Sequence, residues 1–323
     1  MRIKCLFWGL LRIFSLLFLV CSCSTGEVAA QILGTSSAAP VFLACRAVSG
    51  TEIDFEFSLP VKVVSLSFSP SIAVESIDEG SIVRVNFAAG LEPGERLTAD
   101  LLAEDENGNT INVLTPLRTR NERLPRLLIN ELRTEYSKPK AEFVEFKILE
   151  AGNLGAAQVF IAGNSKKPLV YEFSPVEVAA GDYVVLHLRS TEETNRDEYG
   201  SNLSESGGVD SAPNARDFWV FGSEKLLRKT DAVYVLNQDD EVIDAVLLAE
   251  NPASFWSKDY LANAADFLYQ KGAWKTAGEI MPEPKDAVIT GKTTLTRSIC
   301  RDETAADTDS PDNWYITVTG GAT

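Results

Sequence analysis

The sequence predicts an all-β protein of two antiparallel β-sandwich domains, the second carrying a long loop and a short helical insertion. Three observations carry this reading. Apolar and polar residues alternate over short runs, as in EIDFEF, where Ile53, Phe55 and Phe57 share one face and Glu52, Asp54 and Glu56 the other. Pieces rich in Gly, Pro, Asn and Asp punctuate those runs at sandwich spacing. About 300 residues remain beyond an N-terminal leader, more than one ordinary domain holds.

The leader comes first. Residues 1–22, MRIKCLFWGLLRIFSLLFLVCS, place Arg2 and Lys4 ahead of an apolar run from Phe14 to Val20, the plan of a secretory signal peptide. The piece VCSCST, with Val20 three residues before Cys23 and the small Ser22 directly before it, resembles the lipobox of bacterial lipoproteins. That resemblance implies lipidation of Cys23, a palmitate-type anchor, and a tether over 23–39. The alternatives are an uncleaved anchor helix and cleavage further on, although the apolar run falls short of the about 20 residues of a span. Export to the bacterial cell envelope follows from either form of the signal. Loss of Arg2, Lys4 and Arg12 with the leader turns 30 basic against 46 acidic residues into 27 against 46, a net charge of −19. Nucleic acid and anionic surfaces require clustered Lys and Arg, so neither is expected as a partner. Cys23, Cys45 and Cys300 remain in the mature chain; Cys45 and Cys300 are expected as buried thiols, with a disulfide between them the alternative.

Over residues 40–118, EIDFEF is followed by VKVVSLSFS, with Val64, Leu66 and Phe68 expected inward, then by IVRVNF and LTADLLAE, separated by the turns DEG, LEPGE and DENGN. The stretch FAAGLEPGERLTADLLAEDENGN resembles the bacterial Ig-like domains of exported proteins. Asp105, Asn107 and Asn109 imitate the opening of a calcium loop, but Thr110 stands where that loop needs Gly and Pro116 where it needs Glu. Asn107-Gly108 is therefore expected to be a hairpin turn.

Over residues 124–323, the I-N-E of Ile129, Asn130 and Glu131 is followed by the E-F-V-E of Glu142 to Glu145. A strand–turn–strand spans Val233 to Val246, and an Arg-containing strand, acidic loop and D-x-W close the chain from Leu295 to Thr323. Together these resemble the lamin-tail domain, which implies an Ig-like β-sandwich. The departures are two insertions and a weak middle strand at AGNLGAAQVFIAG. The first insertion, TEETNRDEYGSNLSESGGVDSAPNARDF, is polar and long, and disorder is expected there over a mobile binding loop. The second, SFWSKDYLANAADFLYQKGAW, has helical period, with Trp256, Tyr260, Leu261, Ala264 and Leu268 on one face, Lys271 in the last turn and Gly272 as the stop. It is expected to pack on a sheet edge, with a ligand role for its aromatics the alternative.

Chemistry finds few parts. His187 is the only histidine and is expected to be structural or superficial. No G-x-S-x-G, phosphate-cradling loop or C-x-x-C occurs. Glu142 and Glu145, three apart on a strand, point to opposite faces and do not form a catalytic pair. Asp197, Glu198 and Asp210 fall in the polar insertion, where no scaffold is expected to hold them. The loop CRDETAADTDSPDNWY offers Asp302, Asp307 and Asp309 as metal candidates, yet the calcium-loop template fails from Asp302 and from Asp307. The lamin-tail resemblance makes this the closing loop, its aspartates on turn amides and Trp314 buried. We therefore expect a non-catalytic envelope lipoprotein without cofactor, in which an Ig-like spacer carries a lamin-tail-like module for a protein or polysaccharide partner. A secreted or periplasmic hydrolase or metal-dependent phosphoesterase, or an accessory subunit of one, is the alternative.

Overall fold

The computed structural model describes residues 38–163, 168–278 and 280–318. The leader and Cys23 lie outside the described residues. The chain divides into two compact units, one running to Gly90 and resuming over Arg96–Leu117, the other formed by Leu91–Glu95 and everything from Arg118 onward. Both are all-β, and among the described residues no helix is long and apolar enough to cross a membrane.

The first unit holds β1 (Phe42–Ser49), β2 (Glu52–Ser69), β3 (Val74–Asp78), β4 (Gly80–Phe87), β5 (Arg96–Glu104) and β6 (Thr110–Arg118). EIDFEF and VKVVSLSFS, read as two strands, are one 18-residue strand whose first half pairs with β1 and β4 and whose second half pairs with β5. Ile53, Phe55 and Phe57 are buried with Val83, Val85 and Leu101, as the alternation requires. Val64 is not inward: a register shift against β5 between Val63 and Ser65 turns it out, 52% exposed, while Phe68 regains the core edge-on to Phe87. Asp105 accepts from the amides of Asn107 and Asn109, both at 2.8 Å, and Gly108 takes φ +79°, so the calcium-like stretch is a turn held by its own carboxylate.

The second unit stacks a five-stranded and a six-stranded sheet. In chain order its strands are β7 (Arg126–Arg133), β8 (Phe143–Glu150), β9 (Gly152–Asn153), β10 (Gln158–Ile161), β11 (Leu169–Glu172), β12 (Glu177–Val178), β13 (Tyr183–Ser190), β14 (Arg216–Phe221), β15 (Asp231–Leu236), β16 (Val242–Ala249), β17 (Val288–Ile289), β18 (Ile299–Arg301) and β19 (Trp314–Ile316). One sheet runs β11-β10-β15-β16-β17, the other β14-β13-β8-β7-β18-β19, and β12-β9 forms a small ribbon. One core fills the space between them, with Ile129, Val144, Phe146, Val184, Leu186 and Phe218 from one sheet meeting Val159, Val233, Val235 and Val246 from the other. Residues 91–95 belong to this unit because Thr119 N donates to Glu95 O at 3.0 Å and because Gly94, at φ +72°, lies so close to Gly155 that a Cβ would overlap its backbone.

The helical insertion forms α1 (Asp259–Gln270), burying Leu261, Ala264, Ala265 and Leu268. Gly272 takes φ +71° just past its end, the left-handed conformation that stops a helix. Trp256 precedes the helix and donates Nε1–H to Pro282 O at 2.8 Å.

Candidate binding cleft

The residues of the I-N-E and E-F-V-E motifs are brought together on the six-stranded sheet, and each carries a structural duty. Ile129 enters the core, while Asn130 Nδ2 donates to Glu145 Oε1 at 2.9 Å. Glu131 stands opposite Glu145 on β8 and opposite Cys300 on β18. Glu142 is fully buried and takes both arms of Arg189, at 2.7 and 2.9 Å, while that guanidinium also donates to Ser223 O and lies 4.3 Å from the Tyr136 ring. Such a two-pronged pair satisfies both buried charges and leaves neither for a substrate. Cys45 and Cys300 are free thiols and only half-buried, not buried as expected; desolvation still pushes both up to about 12, so they stay protonated near neutrality.

His187 is fully buried on β13. Its Nε2 lies 2.9 Å from Asp217 Oδ1, its ring stacks on Trp219 at 3.8 Å, and Phe143 meets its edge. Asp217 Oδ2 in turn accepts from Ala212 N at 3.0 Å. With no exposure, the histidine is packed beneath the insertion.

That insertion overturns the expectation of disorder. Glu198 is fully buried, its carboxylate accepting from Asp217 N at 2.9 Å and Ser206 N at 3.0 Å. Asp197 Oδ1 accepts from Trp219 N at 2.8 Å, and burial raises its carboxyl. Asp210 pairs with buried Arg133 and accepts from Ala141 N at 2.6 Å. A polar composition gave no apolar anchor to read, and buried carboxylates do the anchoring instead.

The acidic closing loop is equally committed. Asp307 Oδ1 accepts from Arg301 Nη1 at 2.7 Å, Asp309 Oδ2 from Lys275 Nζ at 2.6 Å, and Asp302 Oδ1 from Thr304 N at 2.9 Å, with Asp302 held below the usual carboxylate range mainly by Thr304. Among the described residues no group of three or more His, Cys, Asp and Glu side chains is arranged to hold a metal. Trp314 is half-buried, packed against the core beneath the Arg301 guanidinium at 4.7 Å.

What remains is a cleft of about 900 Å³ inside the second unit, within the range of ligand sites. It opens between the ends of β10 and β11 on one side and the end of β14 with the following loop on the other. Leu169, Val170, Val220 and Phe221 give it apolar walls, and Lys225, Arg228 and the acidic Glu224 line it as well. Phe221 is 81% exposed at its lip. Sequence reading passed over these residues; the signals were an apolar strand ending on FGS and the basic run KLLRK. A smaller groove of about 280 Å³ lies beside α1, where Phe160 stacks on Tyr234 at 5.1 Å and Tyr260 and Phe267 form the other wall.

Comparison with known proteins adds two findings. The model of the TP_1001_2nd family, described as protein second domain, matches residues 125–316. An uncharacterized protein of Treponema pallidum (strain Nichols) is 27% identical over 227 residues, which cover 66% of this chain. The match spans 57% of that relative, less than two thirds of its length.

Proposed function

We propose, from the premise that this chain belongs to the TP_1001_2nd family (protein second domain), that it is a lipid-anchored envelope protein whose second unit is a non-catalytic binding module. Anchorage is through Cys23 after export, the first unit is an Ig-like spacer, and the second is lamin-tail-like. A protein or polysaccharide partner is held at the cleft lined by Val170, Phe221 and Arg228.

The observation that carries this reading is the contrast between the cleft and everything around it. Glu142 and Glu145 of the motifs and Asp307 and Asp309 of the closing loop are bonded within the fold, whereas the cleft presents exposed apolar surface next to the charged Glu224, Lys225 and Arg228. Binding energy comes from apolar surface removed from water and from charge complementarity, and the cleft offers both. The signal and the lipobox-like VCSC support the anchor.

Two measurements test it. Metabolic labelling with a fatty acid marks the wild type and not Cys23→Ala; label that persists in Cys23→Ala and vanishes in Cys21→Ala moves the anchor. The delipidated protein captures the same envelope component in repeated pull-downs, and Phe221→Asp with Arg228→Glu loses it. Undiminished capture by that double variant would remove the cleft from the function.

A further inference from the structure

The smaller groove beside α1 has two walls, and the period of each element dictates its own. On β10 and β15, Val159, Ile161, Val233 and Val235 enter the core, so Phe160 and Tyr234, which stand directly opposite one another, project from the other face of the sheet. Their rings stack at 5.1 Å, and Tyr234 meets the Phe267 ring of α1 at 5.5 Å, which makes a continuous row of three rings. On α1, Tyr260, Asn263, Ala264 and Phe267 recur at the i, i+3, i+4, i+7 spacing of a single helical stripe and supply the second wall. The four aromatic rings are only partly buried, and Asn263 is exposed.

Charge, hydrogen-bonding capacity and length select the occupant. Among the described residues no charged side chain lines the groove, although the chain as a whole carries −16, so the complementary ligand is neutral where it is held. The polar side chains there are Tyr234, Tyr260 and Asn263. Tyr260 donates weakly to Gly163 O at 3.5 Å, while among the described residues the Tyr234 hydroxyl and the Asn263 amide have no hydrogen-bond partner. An acyl chain would desolvate these groups without pairing them, and a sugar ring brings hydroxyls that need acceptors as well as donors. A polyproline II segment fits better: its prolines have no N–H, its carbonyls accept, and its rings pack on aromatic ones. Its length fits too, because the stripe from Tyr260 to Phe267 runs about 10 Å at 1.5 Å per residue, and P-x-x-P runs about 9 Å at 3.1 Å per residue. We propose that the groove between α1 and the outer face of β10 and β15 binds a proline-rich segment of a protein partner. The two prolines of a P-x-x-P step pack on the rings of Phe160, Tyr234 and Tyr260, and the carbonyls accept from Tyr234 O–H and Asn263 Nδ2. This site goes beyond the cleft, with which it shares Ile161 and Pro168, and does not rest on it.

The delipidated chain is titrated into a panel of fluorescein-labelled decapeptides carrying P-x-x-P with neutral residues at x, each paired with a version whose prolines are alanines. Anisotropy finds a saturable binder among the proline peptides, and its alanine counterpart binds about tenfold or more weakly. Asn263→Ala, at an exposed helical position, and Tyr234→Phe, which removes only a hydroxyl, each weaken the peptide about fivefold at unchanged Tm, the worth of one hydrogen bond. Phe221→Asp, in the cleft, binds it as the wild type does. No saturable binder in the panel, equal binding of proline and alanine peptides, or undiminished binding to both Asn263→Ala and Tyr234→Phe overturns the proposal; should Tyr234→Phe lower the Tm, Asn263→Ala decides alone. A peptide lost from Phe221→Asp but kept by Asn263→Ala belongs to the cleft, which sinks the groove and leaves the cleft standing. A Tm raised by maltohexaose or cellohexaose but by no peptide sinks it in favour of a sugar.

Discussion

Arg301 Nη2 donates to both carboxylate oxygens of Asp244, at 2.9 and 2.7 Å, and so ties the six-stranded sheet to the five-stranded sheet through the middle of the second unit. The same guanidinium donates Nε–H to Ile129 O at 2.8 Å and reaches Asp307 at 2.7 Å. Removing one member of a buried pair strands the other charge, so above about pH 7, where Asp244 is ionised, Asp244→Ala is expected to cost about 3–5 kcal/mol. Asp307 is partly exposed, so Asp307→Ala costs about 1 kcal/mol. Trp314, only half-buried above this pair, falls below the 3–5 kcal/mol of a core tryptophan and costs about 2 kcal/mol as Trp314→Ala. Urea unfolding of the three variants checks the order; a larger loss for Asp307 than for Asp244 would make the loop, not the sheet-to-sheet tie, the centre of this network.

Calcium is expected to leave the Tm of the second unit unmoved at millimolar concentration, and chelation to change nothing. A cation entering the closing loop has to displace Arg301 from Asp307, Lys275 from Asp309 and the Thr304 amide from Asp302, each bond at 2.9 Å or less. Ligands that bind only the folded state raise the Tm with concentration, so calorimetric titration is decisive. A saturable rise lost in Asp307→Ala would turn the loop into a metal site.

How far the sequence carries depends on which partner each residue meets. The run EIDFEF could be read because a period of two maps directly onto the two faces of a strand. Val64 could not, because the bulge that turns it outward is set by register against β5, some 40 residues later in the chain. The turn amide held by Asp302 was legible from the failed calcium template, whereas the pairing of Asp307 with Arg301 was not, and for His187 the missing partners left open whether it is buried or superficial. The cleft was not legible: Val170 and Phe221 both line it because the topology leaves β11 and β14 at the edges of their sheets. The insertion misled for a different reason, since a segment poor in apolar residues folds here by burying carboxylates against amides.

Glu198 is the keystone of that segment. Glu198→Ala leaves two buried amides, Asp217 N and Ser206 N, without acceptors, at about 1–3 kcal/mol each. The insertion then opens locally while the core sheets persist. Limited proteolysis should cut Glu198→Ala between residues 199 and 211 far faster than wild type, with exposed Glu193→Ala as the control that changes nothing. Equal resistance of both variants would show that Asp210 and Asp197 hold the segment without Glu198.

The pH dependence of stability turns on Asp231 and Asp244. Burial pushes each carboxyl from 3.8 up to about 7: against backbone donors at Asp231, of which Ala232 N is the first, and chiefly against Arg301 at Asp244. A carboxyl that binds its proton more tightly folded than unfolded makes the folded state the more protonated one over that window. Stability therefore falls as pH rises from about 4 to about 7 and levels off above it. Each group contributes a slope of up to about 1.4 kcal/mol per pH unit. Asp231→Asn removes one titration, so its urea-unfolding profile between pH 4.5 and 7.5 should lose about half of that slope. Its stability at pH 4.5 also drops, because the amide turns an NH2 group toward one of the backbone donors, among them Ala232 N at 2.9 Å and Arg228 N at 3.1 Å. Parallel profiles for wild type and variant would mean that the backbone bonds keep Asp231 ionised in the folded protein despite its burial.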